Sequence, residues 1–232
     1  MTWNEFVSAV ESLGYSITDA QLGAFKQYLT LLQSENEKIN LTAIIDEAGI
    51  IEKHFYDSLL LAPYLKENQN LLDIGSGAGF PGFPIAIMRP DLTVTLLEPT
   101  WKRARFLELV KEELGINNVL IANERAEDYV KVARESFTYA TARAVANLAI
   151  LSELSLPLVK VNGVMFALKA KESESEIELA ENAIKTLGGT ITSVNKFTLS
   201  GGEVRTIIEI KKVKPTPSKY PRHYGQIKKK PL

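Results

Sequence analysis

The sequence predicts a doubly wound α/β domain with a mixed seven-stranded sheet, preceded by a helical extension. Three observations predict it. From residue 70 onward, short apolar and β-branched runs alternate with helix-like stretches, the pattern of buried parallel strands covered by helices. The last two strand-like runs are joined only by Ser200-Gly201-Gly202-Glu203, which reads as an antiparallel hairpin. Before residue 65 the apolar residues recur at helical spacing instead.

The elements follow in order. Trp3, Phe6, Val7, Val10 and Leu13 mark a first helix. Thr18-Asp19 is a start signal for a second, with Leu22, Phe25, Tyr28, Leu29 and Leu32 on one face. A third runs from about Asp46 to Ala62 and stops at Pro63. Strands are expected at Leu71–Ile74, Thr93–Leu97, Asn118–Ile121, Tyr139–Ala142 and Gly163–Leu168. Helices are expected at Pro81–Met88, Trp101–Leu114, Ala126–Ala133, Asn147–Leu158 and Glu172–Leu187. The hairpin strands are Thr190–Leu199 and Val204–Val213. The acid-rich stretch Glu172–Glu181 reads as a solvated helix face. The expected divisions are a helical extension over 1–65, the α/β domain over 66–213 and a basic tail over 214–232.

A chain of 232 residues buries a full core without staples. It has no cysteine, which excludes disulfide frameworks, Cys-bearing zinc sites, iron–sulfur clusters and thiolate nucleophiles. Its two histidines, His54 and His223, are far apart, so no metal site is expected. No apolar run approaches the roughly 20 residues that span a bilayer, and the cytoplasm is the default. Residues 211–232 carry eight Lys/Arg and no acid; with a net charge of −1, the other 210 residues carry −9. A basic end on an acidic body points to an anionic partner such as nucleic acid, or to a solubilising disordered end.

The informative segment is Asp73-Ile74-Gly75-Ser76-Gly77-Ala78-Gly79-Phe80-Pro81-Gly82. It follows an expected strand and opens an expected helix, the context a nucleotide site needs. Glycines allow a tight turn and let a ligand meet bare backbone. Pro81 suits the first turn of a helix, where a missing N–H costs nothing. Glu98 ends the next strand, 19 residues after Gly79, where a carboxylate can accept both hydroxyls of a ribose. The dinucleotide pattern fails at its third glycine, where Phe80 stands, and no Gly-Lys-Ser/Thr follows the loop. Gly75, Gly77 and Gly79 behind Asp73 look instead like the first motif of class I S-adenosylmethionine-dependent methyltransferases, whose ligand has no phosphate. A dinucleotide site and a purely structural turn are the alternatives.

More of the chain then resembles one family, the bacterial small-subunit ribosomal RNA methyltransferase G, also called glucose-inhibited division protein B. The matching segments are Asn40-Leu41-Thr42, His54 with Asp57-Ser58-Leu59, the glycine loop, Lys102-Arg103 with Phe106-Leu107, Arg125-Ala126-Glu127-Asp128, Ala142-Arg143-Ala144-Val145-Ala146, Tyr220-Pro221-Arg222 and Lys230-Pro231-Leu232. One departure is Phe83, where a smaller aliphatic such as Ile is expected; no functional consequence is expected of it. The resemblance implies a Rossmann-like class I methyltransferase fold, S-adenosyl-L-methionine as cofactor, 16S rRNA of the small ribosomal subunit as partner, and methylation of a guanine at ring nitrogen 7. A monomer is expected.

The chemistry agrees with the residue inventory. Methylation at a pyrimidine carbon normally needs a cysteine nucleophile. Exocyclic amines commonly use an Asp/Asn-Pro-Pro-aromatic segment after the fourth strand, where Thr141-Ala142-Arg143-Ala144 stands here. A ribose hydroxyl needs a base. Guanine nitrogen 7 has a lone pair and no proton, so alignment and a tolerant electrostatic environment suffice.

The candidate cofactor-binding residues are Gly75, Gly77, Gly79, Phe80, Glu98, Pro99, Thr100, Ala126, Glu127 and Arg143. Phe80 either flanks the ligand or joins the core. Ala126 and Glu127 border the adenine in the resembling family; otherwise Glu127 is a first-turn carboxylate. Arg143 is also the candidate catalytic residue, holding the methionine carboxylate bidentately or donating to the guanine. A surface arginine paired with a helix carboxylate is the alternative. Lys102, Arg103, Arg222 and Lys228 are candidates for RNA contact, with Arg105 beside them. His54, three residues before Asp57, invites a general-base reading, but with no proton to remove a structural or RNA-contacting role is favoured. Asn40 is expected to anchor the N-terminal helices. Two other functions compete: a methyltransferase of the same fold acting on a small molecule, and a non-catalytic module that binds ribosomal RNA.

Overall fold

The computed structural model describes residues 1–143, 146–170 and 174–232. In chain order it contains α1 (Trp3–Ser12), α2 (Asp19–Ile39), α3 (Glu47–Ile50), a π-helical stretch (Ile51–Tyr56), α4 (Asp57–Leu59), β1 (Asn70–Ile74), α5 (Gly82–Met88), β2 (Thr93–Leu97) and α6 (Trp101–Leu114). Then come β3 (Val119–Ala122), α7 (Ala126–Ala133), β4 (Phe137–Arg143), α8 (Leu148–Ser155), β5 (Val159–Lys169), α9 (Glu174–Thr186), β6 (Gly189–Thr198), β7 (Val204–Lys212) and α10 (Tyr224–Lys229). The strand order is β3-β2-β1-β4-β5-β7-β6. Pairs β2–β3, β1–β4 and β4–β5 are parallel, whereas β7 runs antiparallel to both β5 and β6. The mixed seven-stranded sheet read from the sequence is therefore present. The chain forms two compact units, Met1–Gln69 with Ser76–Asn123, and Asn70–Gly75 with Glu124–Leu232.

In the first unit, α1 and α2 start with complete capping boxes, Thr2 with Glu5 and Thr18 with Gln21, so two orphan donors are satisfied at each end. Helix α2 ends at Asn40 in the left-handed conformation, φ 49°, a position asparagine tolerates better than most side chains. Asn40 thus turns the chain out of α2. The segment expected as one helix from Asp46 to Ala62 changes winding instead: Asp46 caps α3 through Gly49 N–H, and residues 51–56 widen to π geometry before α4. Apolar spacing does not report such a change, since the apolar face is kept. The core here is aromatic. Phe25 packs on Phe6 with ring centroids 5.1 Å apart and on Phe55 at 5.2 Å; Tyr28 stacks on Phe55 at 5.4 Å. Phe83, the departure noted above, is fully buried and meets Tyr28 edge-on at 5.5 Å. Arg89 is buried and donates to Leu65 O (2.8 Å) and to both oxygens of Asp91, so it joins the end of the helical extension to the start of β2.

In the second unit, β5 is longer than its apolar run suggested and starts at Val159. Arg143 is the last residue of β4, paired in register with Leu168, and not a residue of the following loop. Ala144 and Val145 of the family-like segment lie outside the described residues, as do Lys171, Glu172 and Ser173 at the start of the acid-rich stretch. Within that stretch Glu176 is not merely a solvated acid: it accepts from Leu148 N–H and Lys169 Nζ, both at 2.7 Å, and so fixes the start of α8.

The basic end is packed, not a loose solubilising end. Lys212 is fully buried and donates to Leu156 O, Val159 O and Thr216 Oγ1, with Glu135 at 3.1 Å. Burial pushes the Lys212 ammonium below its ordinary pKa, and Glu135 opposes that shift. Thr216, Tyr220 and Ile227 are buried. Arg222 forms a bidentate pair with the fully buried Glu153 of α8 (2.8 and 2.6 Å), and its main-chain N–H adds a third bond. The hydrogen bond to Glu153 holds the Arg222 guanidinium above its ordinary pKa.

Candidate functional site

The carboxyl ends of parallel strands are where doubly wound sheets bind ligands; Gly75 directly follows β1, Glu98 directly follows β2 and Arg143 is the last residue of β4, whereas Lys102 and Arg103 lie in α6 and Arg222 and Lys228 in the C-terminal segment. In the first unit, the turn from Ser76 closes on itself: Ser76 O accepts from Gly79 N–H (2.7 Å) and Phe80 N–H (3.0 Å), while Ser76 N–H reaches Leu97 O at the end of β2. Gly77 has φ 59° and Gly79 has φ 97°. A Cβ on Gly79 would lie 2.3 Å from Phe83 Cδ2 and 2.7 Å from Tyr28 Oη, and Tyr28 Oη donates to Ala78 O. The glycine is therefore required both by backbone conformation and by the aromatic cluster beneath the turn.

Glu98 is almost completely buried directly after β2. Its Oε2 accepts from Gly77 N–H at 2.9 Å and its Oε1 from Thr100 N–H at 2.8 Å. One carboxylate thus ties the glycine turn to the start of α6. Each oxygen retains acceptor capacity, so hydroxyl donors can still be received. Asn123 Nδ2 donates to Glu98 O, which fixes the main chain of the same residue. This bracing was not read from the sequence. Pro99 and Thr100 are exposed, as is Lys102; Arg103 is half-buried.

Phe80 packs in the core of the first unit. Its ring is nearly buried and stacks on His54 (4.6 Å, 16°) and on Tyr28 (5.4 Å, 28°). His54 Nε2 shares a hydrogen bond with Thr42 Oγ1 at 2.7 Å. The histidine is thereby engaged in holding the Asn40–Thr42 segment and the glycine turn together.

In the second unit, Gly75 has φ 69° at the end of β1. Ala126 and Glu127 open α7, and Ala126 is buried. Glu127 Oε1 is buried with no hydrogen-bond partner among the described residues, which leaves an acceptor suited to an N–H donor from a ligand. Arg143 closes β4. Arg222 is paired with Glu153. With Gln226, Lys229 and Lys230 it lines a surface groove, and Lys228 is exposed beside it.

The residues fit S-adenosylmethionine. Within the first unit, a glycine turn without phosphate-binding lysine and a buried carboxylate with spare acceptor capacity after β2 match a ribose; in the second unit, the buried Glu127 acceptor at the start of α7 by itself matches an N–H donor. No group of three or more His, Asp or Glu that could hold a metal exists among the described residues. No helix among them is long and apolar enough to cross a membrane.

Comparison with known proteins agrees. A family model described as rRNA small subunit methyltransferase G matches residues 21–206. The ribosomal RNA small subunit methyltransferase G of Bacillus subtilis is 44% identical over 237 residues, covering 100% of this chain and 99% of that protein. The protein of the same description from Leuconostoc citreum is 42% identical, covering 100% of both. Among solved structures, a SAM-dependent methyltransferase from Aquifex aeolicus superposes with TM-score 0.57 at 16% identity, covering 78% of this chain and 98% of that one. A 16S rRNA (adenine(1408)-N(1))-methyltransferase with SAM from Catenulisporales acidiphilia gives TM-score 0.55 at 12% identity, covering 65% and 88%. These structural likenesses show the fold.

Proposed function

Because the chain belongs to the rRNA small subunit methyltransferase G family, we propose that it transfers a methyl group from S-adenosylmethionine to ring nitrogen 7 of a guanine in 16S rRNA of the small ribosomal subunit. The observation that carries the reading is the buried Glu98 carboxylate bonded to Gly77 N–H and Thr100 N–H. It builds a sugar acceptor against a glycine turn that has no phosphate-binding equipment.

When bound, S-adenosylmethionine supplies a methyl carbon already activated by a sulfonium. The chain then has three tasks. Gly75, Gly77 and Gly79 leave backbone uncovered for the ligand, with Pro99 and Thr100 bordering the sugar held by Glu98. Ala126 N–H and Glu127 read the adenine edge. Arg143 takes the methionine carboxylate or the guanine oxygen in a bidentate grip. Phe80 serves through its main chain and by supporting the turn from the aromatic core. Nitrogen 7 carries no proton, so no side chain has to remove one. The bonding of His54 to Thr42 is in keeping with that chemistry.

Lys102, Arg103 and Lys228 meet RNA phosphates. Arg222, oriented by Glu153, joins them from the groove it lines with Lys229 and Lys230. The enzyme acts as a monomer in the cytoplasm, where its RNA is made. Arg143→Ala is expected to keep the fold and lose methyl transfer. The test maps tritiated methyl incorporation on small subunits from cells lacking the protein. Incorporation at a position other than a guanine nitrogen 7, or undiminished turnover by the Arg143→Ala chain, overturns the reading.

A further inference from the structure

Trp101 opens α6 with 66% of its surface exposed. The second tryptophan behaves differently: Trp3 donates Nε1–H to Glu47 at 2.6 Å and packs edge-on against Phe6. The other large apolar residues on the buried side of α6, Phe106, Leu107 and Val110, face the core. The Trp101 ring lies off that face, with the Arg105 guanidinium 6.0 Å from its centroid, a cation–π distance that braces the indole. The preceding residue is held too, since Thr100 N–H bonds to Glu98.

The first turn of α6 contains Lys102 and Arg103 and no acid. Cations at the positive end of a helix are unfavourable, and so is an indole left in water. One kind of partner relieves both: a nucleotide, which offers a flat aromatic face to the ring and a phosphate to the cations. We propose that Trp101 is a stacking platform for an unpaired base of the RNA substrate, with Lys102, Arg103 and Arg105 meeting the flanking phosphates. This rests on the proposed RNA methyl transfer and adds a substrate-binding side chain to it.

The test compares the unaltered chain with Trp101→Ala and Trp101→Tyr, using assembled small subunits and protein-free 16S rRNA that lack the methyl group. Trp101→Ala is expected to raise KM for both RNA substrates about tenfold, the scale of one lost base–aromatic stack. Its kcat at saturating RNA and its KM for S-adenosylmethionine stay near those of the unaltered chain. Trp101→Tyr recovers most of the affinity. RNA is expected to quench the fluorescence of the unaltered chain and to leave that of Trp101→Ala nearly unchanged. An unaltered RNA KM in Trp101→Ala overturns the proposal. A raised KM for S-adenosylmethionine places the ring on the cofactor, and a loss confined to assembled subunits places it on a ribosomal protein; both overturn it. Failure of the unaltered chain to methylate RNA would sink the function proposed above, whereas Trp101-dependent quenching by RNA is read independently of turnover.

Discussion

Gly79 and Gly115 both have positive φ, 97° and 63°, yet they carry different burdens. Around Gly115, the left-handed cap of α6, an added Cβ meets nothing within 4 Å; at Gly79 it strikes Phe83 and Tyr28. Gly79→Ala combines backbone strain with overpacking and is expected to destabilise by about 3 kcal/mol or more. Gly115→Ala is expected to cost about 1 kcal/mol. Urea unfolding of the two variants checks the contrast. At this scale the glycine turn and Glu98 were legible, because a strand, a glycine series and a spaced carboxylate occur in one stretch of chain. The position of Phe80 was not: an aromatic beside a ligand loop looks the same in sequence whether it faces ligand or core. Only the distant partners His54 and Tyr28 decide it.

At the scale of elements, the strands and helices of the α/β part were legible from alternation, and the winding change in residues 51–56 was not. The docking of the basic end left two signals that charge counting masked. Glu153 is a lone acid in Leu148–Ser155, a helix buried along its whole length, and Lys212 occupies the inward face of β7 with Ile208 and Ile210. Period two along a strand puts such a lysine inside. A charge on an apolar face implies a partner. Arg222→Ala leaves the Glu153 carboxylate buried and uncompensated, and is expected to destabilise by about 3–5 kcal/mol. Glu153→Gln keeps an acceptor and should cost less. Replacing both residues by leucine should recover much of the loss. Urea midpoints of the three variants test this, and equal stability of Arg222→Ala and the unaltered chain would refute it.

For the whole molecule, the loss of stability in acid depends partly on Asp91. Hydrogen bonding from Arg89 holds its carboxyl below the ordinary value of 3.8, against the effect of burial. A carboxyl with a depressed folded pKa contributes stability that is present above the unfolded value and is lost as pH falls through the folded one. Asp91→Asn is therefore expected to be less stable than the unaltered chain at neutral pH, with the difference narrowing only below about pH 4. Urea midpoints measured from pH 7 down to pH 3 read the convergence; parallel curves throughout would show that Arg89 gains nothing from the charge. Neither compact unit is one continuous stretch of chain. Strand β1 precedes the glycine turn, yet Leu71 and Leu72 pair with Tyr139 and Ala140 of β4. During synthesis, then, the Gly75 end of the turn emerges well before the strand that fixes it, and nascent chains arrested before Tyr139 should be unable to retain the methyl donor.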